Sequence, residues 1–449
     1  MFGATQLRRR GECQTRLLWQ SVLCVSNDDE CAAAQPDFPV RPPRFYLSPQ
    51  PGMPFARDAM MKTLKHRKQP RAVRSPVRAS AQLHDAVVVY PCDASAGRRS
   101  HESAMQGEVA KTLAAIKGCR FAGEYDASGP QEGRLYFVPS ATLVGVDAAQ
   151  RLGIRSEQDL YGGVVPLPFM AMKTITHPLV RFDSPAPEGW SFDFGQRVLD
   201  VVLPGFSAFS PDDARVAGVR LLRDGAVRVK KASGIGGLGQ AVVVDEKQLD
   251  AQICSMPDDV WRDGVVLERN LQDVTTLSVG RVRVADLLAS YIGRQRLTRN
   301  NRGAEVYGGS TLTVVRGGFD ALLRFATTPQ IRTAALQARA YHDAAMQSFA
   351  GLVASRCNYD IAQGSDETQR WCSGVLEQSW RVGGASCAEV AALEAFRADA
   401  ALDVIRASTT EVYGPDPAVP PGAHVYFSGV DEHAGMITKY SQVEPYDDT

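Results

Sequence analysis

The segment Val227-Arg228-Val229-Lys230-Lys231-Ala232-Ser233-Gly234-Ile235-Gly236-Gly237-Leu238-Gly239-Gln240 constrains this chain more than any other. Val227 and Val229 alternate with charged residues, the pattern of a short strand with one face in a core. That strand delivers Lys230 to a turn containing Gly234, Gly236, Gly237 and Gly239. Residues without a Cβ let backbone N–H groups come close to an anion, and an ammonium adds a point charge beside them. The segment reads as a holder for phosphate groups, against the plainer reading of a hairpin turn flanked by solvated lysines. Gln240 to Val244 is β-branched again, so the glycines join strand to strand. A dinucleotide-binding turn would instead open directly into a helix, with an acidic residue about 20 positions on.

Composition narrows the classes. The 50 basic and 50 acidic side chains among 449 residues cancel, so no global field favours nucleic acid or an anionic membrane. Nine cysteines form no CxxC pair, and seven histidines show neither HxH nor HExxH spacing, which argues against zinc and against a disulfide framework. No apolar run approaches the roughly 18 residues needed to cross a bilayer. Arg8-Arg9-Arg10 before the apolar patch Leu17 to Val25 has the look of a weak signal peptide, but Gln20 and Ser21 interrupt the patch. A cytoplasmic protein is expected.

Along the chain, residues 1–83 are rich in Pro, Arg and Ser without periodicity and read as a disordered leader. Residues 84–165 alternate strand, helix and strand. Ala86 to Tyr90 and Arg134 to Val138 form the strands, and Ser100 to Lys117 forms a helix stopped by Gly118. This predicts a small α/β domain. Further helices are expected from Pro211 to about Leu222, from near Asp245, from Pro329 to Phe349 and from Ser386 to Arg406. Strands are expected at Val265 to Glu268, Leu277 to Val284, Arg356 to Gln363, Gly374 to Ser379 and Ala423 to Phe427. Tyr291 to Asn301 is basic and reads as a solvated turn or a mobile substrate loop, and 431–449 as a C-terminal tail.

Read in order, these elements resemble the ATP-grasp superfamily, and more narrowly a bacterial ATP-grasp-like family of uncharacterised function. Lys173-Thr174-Ile175-Thr176-His177-Pro178-Leu179, Val202-Leu203-Pro204-Gly205 and Glu377-Gln378-Ser379-Trp380-Arg381-Val382-Gly383-Gly384 carry the narrower likeness. The resemblance implies an ATP-grasp domain over 166–430, two α+β subdomains clamping a nucleotide, preceded by the small α/β domain. It implies ATP and Mg²⁺ as cofactors, with Lys173 and Lys230 on the phosphates and Gly234, Gly236, Gly237 and Gly239 as a flap over them. Val265 to Leu271 would line the adenine pocket, with Glu268 and Leu271 reading the base and Asp273 reaching the ribose.

Two neighbouring antiparallel strands in that superfamily carry acidic ligands, the second usually reading Glu-x-Asn. Asp360, Glu377 and Ser379 are the expected metal ligands here, with serine in place of the usual asparagine and Asn358 beside it. Arg381 and Lys230 would stabilise charge in the reaction, while Arg294, Arg296 and Arg356 read as surface arginines before they read as anion binders. The implied chemistry is an ADP-forming ligase that activates a small-molecule carboxylate as an acyl-phosphate for attack by an amine or thiol. No nucleic acid or membrane partner is implied, and a homodimer is compatible with the resemblance. The alternative, prompted by Ser379, is a nucleotide-binding protein without turnover that acts through closure.

Overall fold

Several helix starts are fixed by a single oxygen. Ser100 accepts from the backbone N–H of Ser103 to begin the helix His101–Lys117, which Gly118 ends at a φ of 68°. Ser210 caps Pro211–Leu222 by accepting from Asp213, and Asp245 caps Glu246–Cys254 by accepting from Gln248. Each such cap contributes about 1 kcal/mol. The computed structural model describes residues 84–92, 100–129, 133–232, 234 and 239–446. The expected leader, and Gly236 and Gly237 of the glycine turn, lie outside the described residues.

Helix His101–Lys117 lies on a parallel three-stranded sheet ordered Arg120–Glu124, Ala86–Tyr90, Leu135–Pro139. A four-stranded antiparallel sheet follows, ordered Gly205–Ala208, Val265–Arg269, Val227–Lys231, Gln240–Val243. Helices Pro211–Leu222 and Glu246–Cys254 cover it, burying Ala214, Ala217, Leu221 and Leu249 against Val227, Val229, Val265 and Leu267. They approach so closely that a methyl group on Gly218 would overlap the Leu249 side chain.

The third layer is an eight-stranded antiparallel sheet. Its order is Trp371–Ser379, Arg356–Ser365, Gln272–Val284, Leu287–Arg299, Glu305–Arg316, Val404–Tyr413, Gly435–Pro445, His424–Asp431. Helix Pro329–Ser348 buries Ala334, Ala338 and Tyr341 with Leu277, Val279, Tyr359 and Ile361 in one core. Helix Ser386–Ala398 shares a second core with Tyr291, Leu312, Val314 and Ala407. Strand alternation puts Asn358 and Asp360 on the face opposite Tyr359 and Ile361. The architecture is thus α/β in its first part and α+β thereafter, as expected. Among the described residues no helix is long and apolar enough to cross a membrane.

Three expectations need correction. The helix expected to reach Arg406 ends at Ala398, and Val404–Tyr413 is a strand whose alternating burial matches its β-branched composition. Tyr291 to Asn301 is no loop: Leu287–Arg299 is a strand whose outer half, from Arg294 on, is largely exposed, which gives it the composition of a turn. Nor is the end of the chain merely a tail. Gly435–Pro445 pairs with Val404–Tyr413, setting Lys439 opposite Glu411 in a buried ion pair of 2.7 Å.

Candidate functional site

A short turn, Lys173–Thr176, and the His177 that follows it reach into both antiparallel sheets. The backbone carbonyl of Thr174 accepts from the Ser207 hydroxyl at 2.5 Å, and Thr176 hydrogen-bonds with the Tyr341 hydroxyl at 3.1 Å. These contacts hold the turn while its two ends face different partners.

Lys173 faces the large sheet. Its Nζ lies 2.8 Å from Oε2 of Glu377 and donates to the Gly234 carbonyl at 2.7 Å. Lys173 is 7% exposed and Glu377 36%, so the pair lines an opening rather than a core. Gly234 also closes a turn on the carbonyl of Lys231, and Gly239, at a φ of 73°, returns the chain to the next strand. Of the two described ends of the glycine turn, Gly234 thus lies against Lys173 and Gly239 accepts from the Lys231 backbone.

His177 faces the small sheet. Its Nε2 is 3.2 Å from Oε2 of Glu268, whose other oxygen lies 2.5 Å from Lys230 Nζ. All three side chains are buried. Burial opposes the charge on Glu268, yet the Lys230 ammonium and the His177 hydrogen bond outweigh it and hold the carboxyl down at about 2. Glu268 and Lys230 are thus a buried ion pair. Leu271 is buried with Leu203 and Ala362, and Asp273 stands exposed at a φ of 50°. Among the described residues, Thr174 Oγ1 and His177 Nδ1 are buried without a hydrogen-bond partner, so this wall keeps unused polar capacity.

The acidic strands align in register. Asp360 pairs directly with Glu377, and Asn358 with Ser379, while a bulge displaces Leu376 between Val375 and Glu377. Asp360 accepts from Asn358 Nδ2 at 2.9 Å, Ser278 Oγ at 3.0 Å and Gln295 Nε2 at 3.3 Å. Burial and the charge of Glu377 push the Asp360 carboxyl up, against these hydrogen bonds. Ser278 and Gln295 carried no motif, and Gln295 was hidden in the segment read as a loop. Its reach to Asp360, across the strand that carries Ser278, becomes visible only once Leu287–Arg299 is a strand.

Beneath this pair lies a buried cation. Arg356 is fully buried, not on the surface: Nη2 and Nε donate to Glu389 at 2.7 and 3.0 Å, and Nη1 donates to the Arg381 carbonyl at 2.7 Å. Tyr161 and Tyr291 donate to the same carboxylate. Burial opposes charge on both partners, and their mutual attraction overrides it, raising Arg356 and lowering Glu389. Glu389 sits in the first turn of a helix and gave no sequence signal. Arg381 itself is half-buried, and burial and the Arg356 charge lower its pKa. The one hydrogen bond its guanidinium makes to a described residue is to the Val382 carbonyl, at 3.0 Å. Arg294 and Arg296 are exposed on their strand, and Arg296 donates to Thr409 and Thr410, reaching across the intervening strand Glu305–Arg316.

Among the described residues no group of three or more His, Cys, Asp or Glu side chains is arranged to hold a metal. Two opposed carboxylates still fit Mg²⁺, which takes one or two protein carboxylates and completes its shell with water and substrate phosphate. The ammonium of Lys173 on Glu377 acts as a stand-in cation at that position.

A family model described as "Protein of unknown function (DUF3182)" matches residues 87–441. The sequence matches no curated protein. Among solved structures, the chain is similar to biotin carboxylase from Campylobacter jejuni in a β,γ-ATP complex, at 11% identity over 81% of this chain and 88% of that one, with a TM-score of 0.45. It is similar to N5-carboxyaminoimidazole synthetase from Staphylococcus aureus complexed with ADP, at 12% identity over 81% and 94%, with a TM-score of 0.42. It is similar to the ATP-grasp ligase PsnB, at 12% identity over 70% and 99%, with a TM-score of 0.38.

Proposed function

The chain belongs to the family of unknown function DUF3182, and from the geometry of its site we propose that it is an ATP-dependent ligase of the ATP-grasp type, activating a small-molecule carboxylate for attack by an amine or thiol. The observation that carries this reading is the position of Lys173, bonded at once to the glycine turn through Gly234 and to the acidic strands through Glu377. A phosphate chain entering there would meet the ammonium, the backbone of the turn and the carboxylate-held cation together.

The residues then have separable tasks. Lys173 and Arg381 lend positive charge to phosphate oxygens. Lys230 holds Glu268 ionised, so that a carboxylate acceptor faces the amino edge of a base, with Leu271 on the same segment. Asp360 and Glu377 would hold Mg²⁺, which when bound neutralises phosphate charge. In the reaction, a substrate carboxylate oxygen attacks the terminal phosphorus of ATP and ADP leaves. The amine nitrogen or thiol sulfur then attacks the acyl carbon, phosphate departs and the nucleophile's proton passes to solvent. No side chain becomes a covalent nucleophile, because positioning and fixed charge lower the barrier.

Calorimetry of ATP binding with and without Mg²⁺, on the wild type and on Lys230→Ala, tests the reading. Magnesium-dependent binding that weakens in the variant supports it, and no binding by the wild type ends it. One observation favours a second reading, a nucleotide-binding protein without turnover: Ser379 stands where the superfamily usually has asparagine, and its hydroxyl accepts from Arg356 at 3.3 Å. Release of ADP on addition of acids and amines separates the two.

A further inference from the structure

We infer that this chain takes one divalent cation, held between Asp360 and Glu377, and that Ser379 is not a ligand. The inference rests on the nucleotide-binding reading and concerns how many ions accompany the nucleotide. Asp360 with Glu377 and Asn358 with Ser379 form successive cross-strand pairs on one face, so each pair is a separate candidate for a cation.

The first pair suits one. It brings two carboxylates together, and Glu377 already carries a positive group, the Lys173 ammonium, at 2.8 Å. The second pair does not. The Ser379 hydroxyl and the Ser379 carbonyl lie 3.3 and 3.2 Å from Nη1 of Arg356. A guanidinium has donors only and does not lose its proton in a protein. It cannot swing away either, because Glu389 holds two of its nitrogens and the Arg381 carbonyl accepts from the third. The charge of Glu389 is spent on Arg356 and on the hydroxyls of Tyr161 and Tyr291, so nothing there offsets a divalent ion placed on Ser379 Oγ.

Asn358 does not supply the missing oxygen. Its Nδ2 donates to Asp360 at 2.9 Å, while its Oδ1 lies on the other side, 3.1 Å from the oxygen of Tyr291, whose single proton goes to Glu389 at 2.7 Å. The amide thus turns its nitrogen, and not its carbonyl, towards the carboxylates. Flipping it would set oxygen against the Asp360 carboxylate. The Asp360 contact fixes that orientation, which leaves the Asn358 carbonyl turned from the carboxylates and the Ser379 hydroxyl against the Arg356 guanidinium.

Equilibrium dialysis with Mn²⁺ and a saturating non-hydrolysable ATP analogue, read by electron paramagnetic resonance, counts the ions directly. The expected result for the whole chain is one Mn²⁺ per bound analogue, with no spin–spin broadening between ions. Ser379→Ala is expected to keep one ion with an affinity within two-fold, and Glu377→Gln to lower the affinity at least ten-fold. Two ions per analogue in the wild type, or loss of an ion in Ser379→Ala, overturns the inference while leaving nucleotide binding intact. Failure of the analogue to bind with or without metal overturns the nucleotide reading itself, and the ion count with it.

Discussion

The Lys173 ammonium stands between Glu377 Oε2, at 2.8 Å, and the Gly234 carbonyl, at 2.7 Å. It is therefore both the counter-ion of an acidic strand and the tether of a glycine turn. Lys173→Met keeps the length and removes the charge. Nucleotide affinity is expected to fall at least ten-fold, about 1.4 kcal/mol. Binding of Mn²⁺ in the absence of nucleotide is expected to strengthen, because Glu377 loses its competing cation. Calorimetry of each ligand alone checks both directions, and an unchanged Mn²⁺ affinity would show that Lys173 does not hold the position.

Glu268 and Lys230 form a pair that neither partner survives alone. Glu268→Leu strands a buried ammonium and Lys230→Met a buried carboxylate, each at a cost of about 3–5 kcal/mol. The double variant places two apolar chains side by side and is expected to lose less than the sum. Urea unfolding of the four proteins gives the coupling directly. Additive losses would mean that the 2.5 Å contact contributes nothing to stability.

His342 makes the fold sensitive to acid. Arg281 donates to its Nε2 at 3.2 Å, so the ring proton sits on Nδ1 and is given to the Tyr359 hydroxyl at 2.8 Å. Burial, and then the Arg281 charge, lower its pKa from 6.5 to about 4. A depressed value means the unfolded chain takes up the proton first. The stability contribution is therefore whole above about 6.5 and is lost as pH falls towards about 4, by about 3 kcal/mol at most. His342→Gln should flatten that part of the stability curve, leaving the similar contribution of His84 in place. Unfolding midpoints at pH 7 and 4.5 decide it, and parallel curves for the two proteins would rule the account out.

Gly280 is required by its neighbours. A Cβ there would overlap the Tyr291 ring and come within 2.6 Å of the Cys357 backbone carbonyl. The carbonyl belongs to a paired strand and cannot retreat. Gly280→Ala is expected to cost about 1–3 kcal/mol and to pull Tyr291 from Asn358 and Glu389. Thermal unfolding reads the first effect, and weaker Mn²⁺ binding in the presence of the ATP analogue reads the second.

Local order was legible where one residue decides it. Ser100, Asp245 and Gly118 marked helix ends because a single cap or a single positive φ sets them. Asp360 and Glu377 were readable as a facing pair because a strand has a period of two. Partners supplied by distant chain were not readable. Glu389 reaches Arg356 from a helix, and Gln295 reaches Asp360 from a strand whose exposed half reads like a turn. Glu268 was expected to face a base. That it would also be neutralised by Lys230 and steadied by His177 depends on strand pairing in the small sheet, which brings Arg228, not Lys230, directly opposite it.

The turn from Lys173 to His177 also bears on how the protein comes apart. Tyr341 belongs to the helix covering the large sheet, and Ser207 and Glu268 belong to the small sheet; this one segment of chain bonds to all three. Melting it would remove contacts that both sheets share. The two should therefore unfold in a single cooperative transition, and a nick in the loop just after it should cost more stability than its surface position suggests.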